Sequence, residues 1–234
     1  DVLIKNPTDA YLAFGTNNIE RLRVTSDGKV GINSASPHQA LDIGGTTVSL
    51  VKFTPSNYGS GASDGAQIGV NFGGLDVWQF ENNYLRLGTN NTERLRITSG
   101  GGFHFTNGEL IERAKVTAGK LSDNTNIDLE NGMVHLFTTQ ETTTSTPNIR
   151  INSSTSLNSV MATGEMISVT LITTAAAGAY SAQLTIDGGA VTENWTGGSA
   201  PSDGGSSGVD IHAYTIIKTA DATFTVVATQ TKTS

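Results

Sequence analysis

Apolar and polar residues alternate over short stretches along most of the chain. In residues 21–32 every second position is apolar on each side of the pair Asp27-Gly28. A period of two predicts half-buried strands, and an Asp-Gly pair between two such strands predicts a tight hairpin turn. We therefore predict a β-hairpin whose inward positions are Leu22, Val24, Val30 and Ile32.

This hairpin pattern occurs twice. The stretch YLAFGTNNIERLRVTSDGKVGIN, residues 11–33, returns near residues 84–106 as YLRLGTNNTERLRITSGGGFHF. The second copy has a glycine run instead of the Asp-Gly turn, and each copy carries an Asn-Asn pair that predicts a further turn, because asparagine tolerates positive φ. A lone hairpin is marginal in water, so we expect identical chains to complete these modules as a homotrimer. No heptad pattern supports a coiled coil instead.

The rest of the chain divides by the density of its strand pattern. Alternating stretches at 41–55 and 66–83 complete a region of repeated modules, residues 1–106. Residues 107–131 alternate weakly and are predicted to form a connector. From residue 132 onward, strand patterns are separated by turn residues at intervals typical of a sandwich or jelly roll. We predict an all-β protein in which slender trimeric modules lead to a C-terminal β-sandwich or jelly-roll-like domain, residues 132–234.

Composition narrows the possible function classes. The 234 residues carry a net charge of −7 at pH 7, with 6% aromatic and 15% charged residues and no cysteine. A negative chain without a basic run lacks the attraction to phosphate on which nucleic acid binding depends, so no nucleic acid partner is expected. The lack of cysteine excludes disulfides and thiolate metal sites. No apolar run approaches about 18 residues and no signal peptide is recognisable, so we expect no membrane insertion.

Two parts of the chain resemble proteins of tailed bacteriophages. NNTERLRITS, together with ERLRVTSDGKVGIN followed by SASPHQALDI, is similar to repeats in tail fibres and other virion fibre proteins of such phages, especially those of marine bacteria. The stretch that begins NGMVHLFTTQETTTSTPNIRIN and ends ATFTVVATQTK resembles a β-rich terminal domain of virion proteins from the same phages. The repeat motif also occurs ahead of self-cleaving chaperone domains, but this chain lacks their helical C-terminal block.

The resemblance implies a homotrimeric fibre of the virion, assembled in the host cytoplasm. Its expected partners are other tail or capsid proteins and a host-surface glycan or protein. The chain would then be a structural and adhesion protein rather than an enzyme, with no cofactor. Two alternatives stay open: a polysaccharide-degrading tailspike, and a capsid-attached fibre without a receptor-binding role. The chain begins without a methionine, and we expect it to belong to a longer protein.

Candidate catalytic groups have weak support in the sequence. GASDG and GGSSG, residues 61–65 and 204–208, fit the G-x-S-x-G pattern of a nucleophile elbow. That elbow needs a strand before it and a helix after it, whereas both matches lie in Gly/Ser-rich loops. A tailspike would need two carboxyl groups about 5–9 Å apart. The acidic residues near the last loops are expected to be turn formers, so no catalytic residue is predicted; they are Asp187, Glu193, Asp203 and Asp210.

Metal binding is considered at two places. Residues 123–131, DNTNIDLEN, are rich in oxygen ligands, but an EF-hand loop requires glycine where this chain has Asp128. His104 lies between two phenylalanines on a strand of a module that is expected to line the axis, where it could meet two copies of itself around a metal in a trimer. A polar surface or core role is favoured for each of the four histidines, so no metal site is predicted.

Receptor contacts are predicted in the C-terminal domain. Trp195 lies at the start of its longest loop, NWTGGSAPSDGGSSG. An aromatic ring with one polar group can stack on a sugar, and three copies on a trimer would bind multivalently. The alternative, which we favour for this ring, is that it packs on the core. Tyr180 and Asp210 are the further candidates for receptor contact.

Overall fold

The computed structural model describes residues 10–57 and 59–233. The chain divides into two compact units, residues 1–110 and 111–234. Strands account for 48% of the protein and helices for 4%, spread over several sheets, which confirms the predicted all-β class. The helical segments of the described residues are single short turns, none of which is long enough to cross a membrane.

The N-terminal unit contains three small sheets. The first consists, in spatial order, of β1 (Leu12–Thr16), β2 (Ile19–Val24), β3 (Val30–Ile32) and β4 (Leu41–Ile43). The second consists of β5 (Val48–Phe53), β6 (Ala66–Asn71) and β7 (Gly74–Gln79). The third consists of β8 (Leu85–Thr89), β9 (Thr92–Ile97) and β10 (Phe103–Phe105). Neighbouring strands are antiparallel except β3 and β4, which are parallel.

Both copies of the repeated motif fold into hairpins, as predicted. The turn between β2 and β3 contains Gly28, whose φ is 85° and whose N–H donates to the Thr25 carbonyl at 3.0 Å. In the second copy Gly101 has the same φ of 85° and donates to the Thr98 carbonyl at 2.9 Å. The four asparagines of the Asn-Asn pairs have φ values from 49° to 58°. Positive φ at both central residues is the requirement of the type I′ hairpin turn.

The repeated residues also make repeated contacts. Arg23 and Arg96 each form an ion pair with the glutamate three residues earlier, at 2.7 and 2.6 Å. The same guanidinium groups lie over the rings of Tyr11 and Tyr84, 3.7 and 4.4 Å from the ring centres. The tyrosine, the glutamate and the second arginine of the motif therefore form one polar cluster in each copy.

Each N-terminal sheet has one face made mostly of apolar side chains. In the third sheet Leu85, Ile97 and Phe103 are in register across the three strands. The next row on the same face consists of Leu87, Leu95 and Phe105. Residues in register share a face, and we call this the apolar face of the sheet. Phe103 and Phe105 remain 66% and 51% exposed.

The first and second sheets have equivalent apolar faces. The rows of the first sheet are Leu12, Val24, Val30 and Leu41, then Phe14, Leu22, Ile32 and Ile43. The face of the second sheet is centred on Val51, Ile68 and Val77. Among the described residues before 111, no Leu, Ile, Val, Phe, Tyr or Trp is buried. Exposed apolar area costs about 25 cal/mol per Å², so covering these faces with another surface would stabilise the protein.

The C-terminal unit contains two sheets whose buried residues form one hydrophobic cluster. The larger sheet consists, in spatial order, of β11 (Ala114–Thr117), β13 (Val134–Gln140), β15 (Met166–Thr174), β19 (Val209–Ala220), β20 (Thr223–Lys232) and β18 (Glu193–Trp195). The smaller consists of β12 (Asn126–Asp128), β14 (Asn148–Arg150), β16 (Thr185–Ile186) and β17 (Gly189–Ala190). A helix of one turn, α1, spans Leu157–Val160.

From β11 to β16 the chain alternates between these two sheets. Each strand from β13 to β16 pairs in parallel with the strand two positions earlier. A parallel pair needs a long crossover, and here the crossover runs through a strand of the opposite sheet. A jelly roll is built from antiparallel strands, so this half of the unit has a different strand order. Antiparallel pairing in the larger sheet begins with β15 and β19.

Most of the predicted connector, residues 107–131, is part of the C-terminal unit. β11 is an edge strand of the larger sheet and β12 is the first strand of the smaller one. Leu121, Ile127 and Leu129 are 1%, 0% and 6% exposed in the shared core. Their place is determined by parallel pairing with strands later in the chain. Alternation over three or four residues is too short to reveal it from the sequence.

Candidate functional site

A shallow groove lies beside β18 in the C-terminal unit. It encloses about 460 Å³ and is lined by Ala182, Gln183, Glu193, Asn194, Trp195, Gly198 and Ala200. β18 pairs in parallel with β20, and the Gly198 N–H donates to the Trp195 carbonyl at 3.0 Å, which closes a tight turn after the strand. A strand and a tight turn therefore position these side chains.

Trp195 packs on the core and also lines the groove. Its ring contacts Tyr214 edge to face, with the ring centres 6.2 Å apart and the planes inclined by 72°. Such a pair contributes about 0.5–1.5 kcal/mol beyond the burial of area. Trp195 is half-buried against the hydrophobic cluster. Core packing and ligand contact, weighed above as alternatives, are therefore compatible in this geometry.

The polar side chains of the groove differ in whether they are hydrogen-bonded within the protein. Glu193 accepts the N–H of Leu184 at 2.5 Å, and Asn194 donates to the carbonyl of Val226 at 3.0 Å. The side chain of Gln183 is exposed and has no hydrogen bond to any described residue. An indole ring, a free amide and a fixed carboxylate are groups that suit the face and hydroxyls of a sugar.

The other two candidates for receptor contact do not line the groove. Tyr180 is half-buried, and its carbonyl accepts the N–H of Ser145 at 3.0 Å. Asp210 is 1% exposed, and its carboxylate accepts the N–H of Gly205 at 2.9 Å. A Cβ on Gly205 would lie 2.7 Å from this carboxylate. The prediction that Asp210 contacts a receptor is therefore corrected: burial makes it an anchor for the end of the loop.

The other acidic residues near the last loops also have structural partners. The carboxylate oxygens of Asp187 accept two backbone N–H groups at the start of α1, at 2.7 and 2.9 Å. Asp203 forms an ion pair with Lys232 at 2.5 Å. Glu193 and Asp210 are bound to backbone N–H groups, as described above. Each of the four carboxyl groups weighed for glycoside cleavage thus contacts a backbone N–H or a lysine.

His104 lies on the polar face of its sheet. It is in register with Arg96 and Arg86, on the face opposite Phe103 and Phe105. A trimer that buries the apolar face would turn His104 outward, which does not favour the axial metal considered above. In the part of the chain that the structure describes, no group of three His, Asp or Glu side chains could hold a metal ion.

The oxygen-rich segment 123–131 forms turns and the strand β12. Asp128 forms an ion pair with Arg150 of the next strand at 2.6 Å. Asn126 accepts a hydrogen bond from the side chain of Asn148 at 3.0 Å. These contacts between parallel strands engage oxygen atoms that a cation would need as ligands.

Two histidines are buried on the inner face of the larger sheet. His212 is 1% exposed, and neither ring nitrogen has a hydrogen-bond partner among the described residues. Burial lowers the pKa of His212 to about 4, and burial also lowers the pKa of His135. Burial raises the pKa of the neighbouring Tyr214 to about 12. The alternation in residues 209–219 indicates that Asp210, His212 and Tyr214 share one face, but the apolar residues between them would have predicted that this face points outward.

No family model, curated protein or solved structure matches this chain. A functional assignment therefore rests on the geometry of the exposed apolar faces and of the groove beside Trp195, together with the sequence resemblance described above.

Proposed function

We propose that this chain is a structural and adhesion component of a bacteriophage fibre. It acts as a homotrimer in which the N-terminal modules form a slender shaft and the C-terminal unit is a β-sandwich-like tip that attaches to the host surface. It has no catalytic role. The observation that carries the proposal is the exposed apolar face on each of the three N-terminal sheets, and the resemblance to phage fibre repeats supplies the biological setting.

The width of the second and third N-terminal sheets favours three copies around one axis. Three strands spaced about 4.8 Å apart give a sheet about 14 Å wide. A triangle with sides of this length has its centre about 4 Å from each side. This distance is close to half of the ~10 Å that separates packed sheets. Three apolar faces, one from each chain, would therefore fill the space inside such a triangle.

The opposite face of the third sheet suits contact with water. It carries Arg86 and Arg96 in register, with Glu93 paired to Arg96 at 2.6 Å. Charged residues on one face and apolar residues on the other are the pattern of a sheet with one buried side. This arrangement supports a shaft whose apolar faces point to the axis and whose ion pairs point outward.

The groove beside Trp195 supports an adhesive tip. A single groove of this size offers one aromatic ring and a few polar groups, which favours weak binding. Three linked grooves gain affinity without new contacts, by factors of about 10²–10⁴ when the geometry allows simultaneous binding. A host-surface glycan, which repeats the same unit many times, is the type of ligand that suits such a tip.

The two alternatives have less support. A polysaccharide-degrading tailspike needs an acid and a nucleophile or base, but the four carboxyl groups of the last loops have structural partners. A capsid-attached fibre without receptor binding would have the same shaft, and only a binding assay on the tip distinguishes it from the proposed adhesin.

Assembly is tested on the full chain with two substitutions in one strand. Phe105→Asp places a charge on the apolar face of β10, whereas His104→Asp places the same charge on the opposite face. We expect the native chain and His104→Asp to show three times the chain mass of 24.4 kDa by light scattering, and Phe105→Asp to dissociate. A monomeric native chain, or equal dissociation of both variants, would refute the proposed shaft.

Adhesion is tested with fluorescent full-length trimers on cells of a susceptible bacterium. Gln183→Ala removes the free amide of the groove without touching the core, so we expect weaker binding at unchanged melting temperature. Ser153→Ala, in the exposed loop after β14, is the matched control. If neither variant changes binding, the groove is not the adhesive site, and if the native trimer never binds, the capsid-attached fibre replaces the adhesin. Release of reducing ends from host polysaccharide would favour the tailspike.

A further inference from the structure

The outer face of the larger C-terminal sheet carries no charged side chain. Its central row consists of Val116, Leu136, Ile172, Ile211 and Thr231, in register across β11, β13, β15, β19 and β20. The neighbouring rows of these strands contribute threonine, alanine, serine, valine, isoleucine and methionine, together with Gln140 at one end. None of these side chains belongs to the buried hydrophobic cluster. We call this surface the neutral face.

The charged residues and the histidines of these strands all lie on the other side of the sheet. Asp210, His212 and Lys218 of β19 are buried on the inner face, and Lys115 and Lys232 share its register. A sheet face in contact with water normally carries polar and charged residues. Charges on exposed sheets also prevent unwanted pairing with other chains. The distribution found here is therefore the one expected of a face that another protein surface covers.

We infer that the neutral face packs against the same face of neighbouring copies of this chain, so that the three tips contact one another within the trimer rather than remaining independent domains. This inference rests on the proposed homotrimer. It assigns the tip an interface that is separate from the apolar faces of the shaft and from the groove beside Trp195.

The size of the neutral face fits such an interface. β15 has nine residues, which at about 3.3 Å each give a length near 30 Å, and five strands give a width of about 24 Å. The face therefore measures about 700 Å², close to the ~800 Å² per partner of a standard specific interface. Burying this surface removes no charge from water, because the face carries none, and such desolvation is the main cost of a polar interface.

A second copy is also the partner that this face would meet first. Chains joined through their shafts hold their tips at an effective concentration in the millimolar range. A surface rich in threonine and small β-branched residues is only moderately apolar, so it needs this proximity to associate. The outer edges of the face are accessible, because Val116 and Met166 are 60% and 56% exposed within one chain.

The first test measures distances between copies. The chain contains no cysteine, so Thr229→Cys and Ser153→Cys each introduce one labelling site, the first on the neutral face and the second beside the smaller sheet. With nitroxide labels on the full chain, we expect the distance between labels on different copies to be shorter for Thr229→Cys than for Ser153→Cys by roughly 15 Å. The reason is that, in each copy, the smaller sheet lies about 10 Å farther from the interface than the larger sheet. Equal distances, or longer ones at Thr229, would overturn the inference.

The second test places a charge in the centre of the face. Thr170→Lys would leave an unpaired ammonium in the interface, whereas Ser153→Lys adds the same charge outside it. We expect Thr170→Lys to raise the concentration at which the full-length trimer half-dissociates by a factor of about 100, and Ser153→Lys to leave it unchanged. If Thr170→Lys fails to fold, the distance measurement still decides.

The two proposals fail in different ways. A native chain that is monomeric removes both the shaft trimer and the tip interface. A native trimer whose Thr229 labels are far apart, and whose dissociation is unchanged by Thr170→Lys, retains the proposed shaft and refutes the tip interface alone.

Discussion

The buried His212 predicts a loss of stability in mild acid. Its ring is 1% exposed and unpartnered among the described residues, and burial lowers its pKa from 6.5 to about 4. Asp210 is the charged neighbour that opposes this shift. The folded protein therefore holds the neutral ring, whereas the unfolded chain binds a proton below pH 6.5. Stability contributed by His212 is complete above pH 6.5 and is lost as the pH falls toward 4.

The magnitude follows from the difference between the two pKa values. Each pKa unit corresponds to about 1.36 kcal/mol, so the complete loss is roughly 3 kcal/mol. Between pH 8 and pH 5, with these two values, the loss is about 2 kcal/mol. This is a large part of the ~5–15 kcal/mol that stabilises a typical protein.

Urea unfolding of the full chain at several pH values, at one fixed chain concentration, measures this loss. The comparison variant is His212→Leu, which keeps an apolar side chain of similar size and has no titrating group. His135 and the acidic residues other than Asp210 contribute equally to both proteins, so the difference between the two unfolding free energies isolates His212 together with its interaction with Asp210. We expect this difference to change by about 2 kcal/mol between pH 8 and pH 5. A difference that is independent of pH would refute the burial of a neutral, unpaired ring.

Three further substitutions test buried contacts, the first two by urea or thermal unfolding and the third by hydrogen exchange. Glu141→Ala leaves the buried N–H of Leu121 without its carboxylate acceptor, and we expect a loss of about 1–3 kcal/mol. Lys218→Met removes the ammonium group that donates to the Met161 carbonyl at 2.8 Å, and we expect a similar loss of unfolding free energy. An unchanged unfolding midpoint would contradict this role of Lys218. Gly31→Ala places a Cβ 2.2 Å from a backbone oxygen, so we expect the first N-terminal sheet to lose protection from hydrogen exchange.

Much of the local structure was predictable because it depends on neighbours in the sequence. Asp27-Gly28 and the Asn-Asn pairs determine turns through the φ values that these residues accept, and those turns are observed. Alternation of apolar residues across each turn then places Leu22 and Ile32 in register. The exposure of the N-terminal apolar faces was also foreseeable, since short hairpins offer no opposing layer.

The candidate site was less predictable because burial depends on distant residues. In the sequence Asp210 follows a Gly/Ser-rich loop and is therefore expected to be exposed. In the structure it is buried, and its carboxylate accepts the N–H of Gly205 from the same loop. In the sequence Trp195 stands at the start of a loop, but its contact with Tyr214 depends on β18 and β19, which lie on either side of β20 only in the folded sheet. Nothing in the sequence pattern indicated that Gln183 would line the groove.

By itself, the sequence of this protein determined its β class, its hairpin turns and the division of each strand into an apolar and a polar side. All three depend on steric preferences and alternation within a few residues. The tertiary structure alone decided that β11 and β12 belong to the C-terminal unit, because parallel pairing joins them to strands many residues later. It also decided which side of each sheet is covered, because burial depends on the layer packed against a sheet, and that layer comes from elsewhere in the chain.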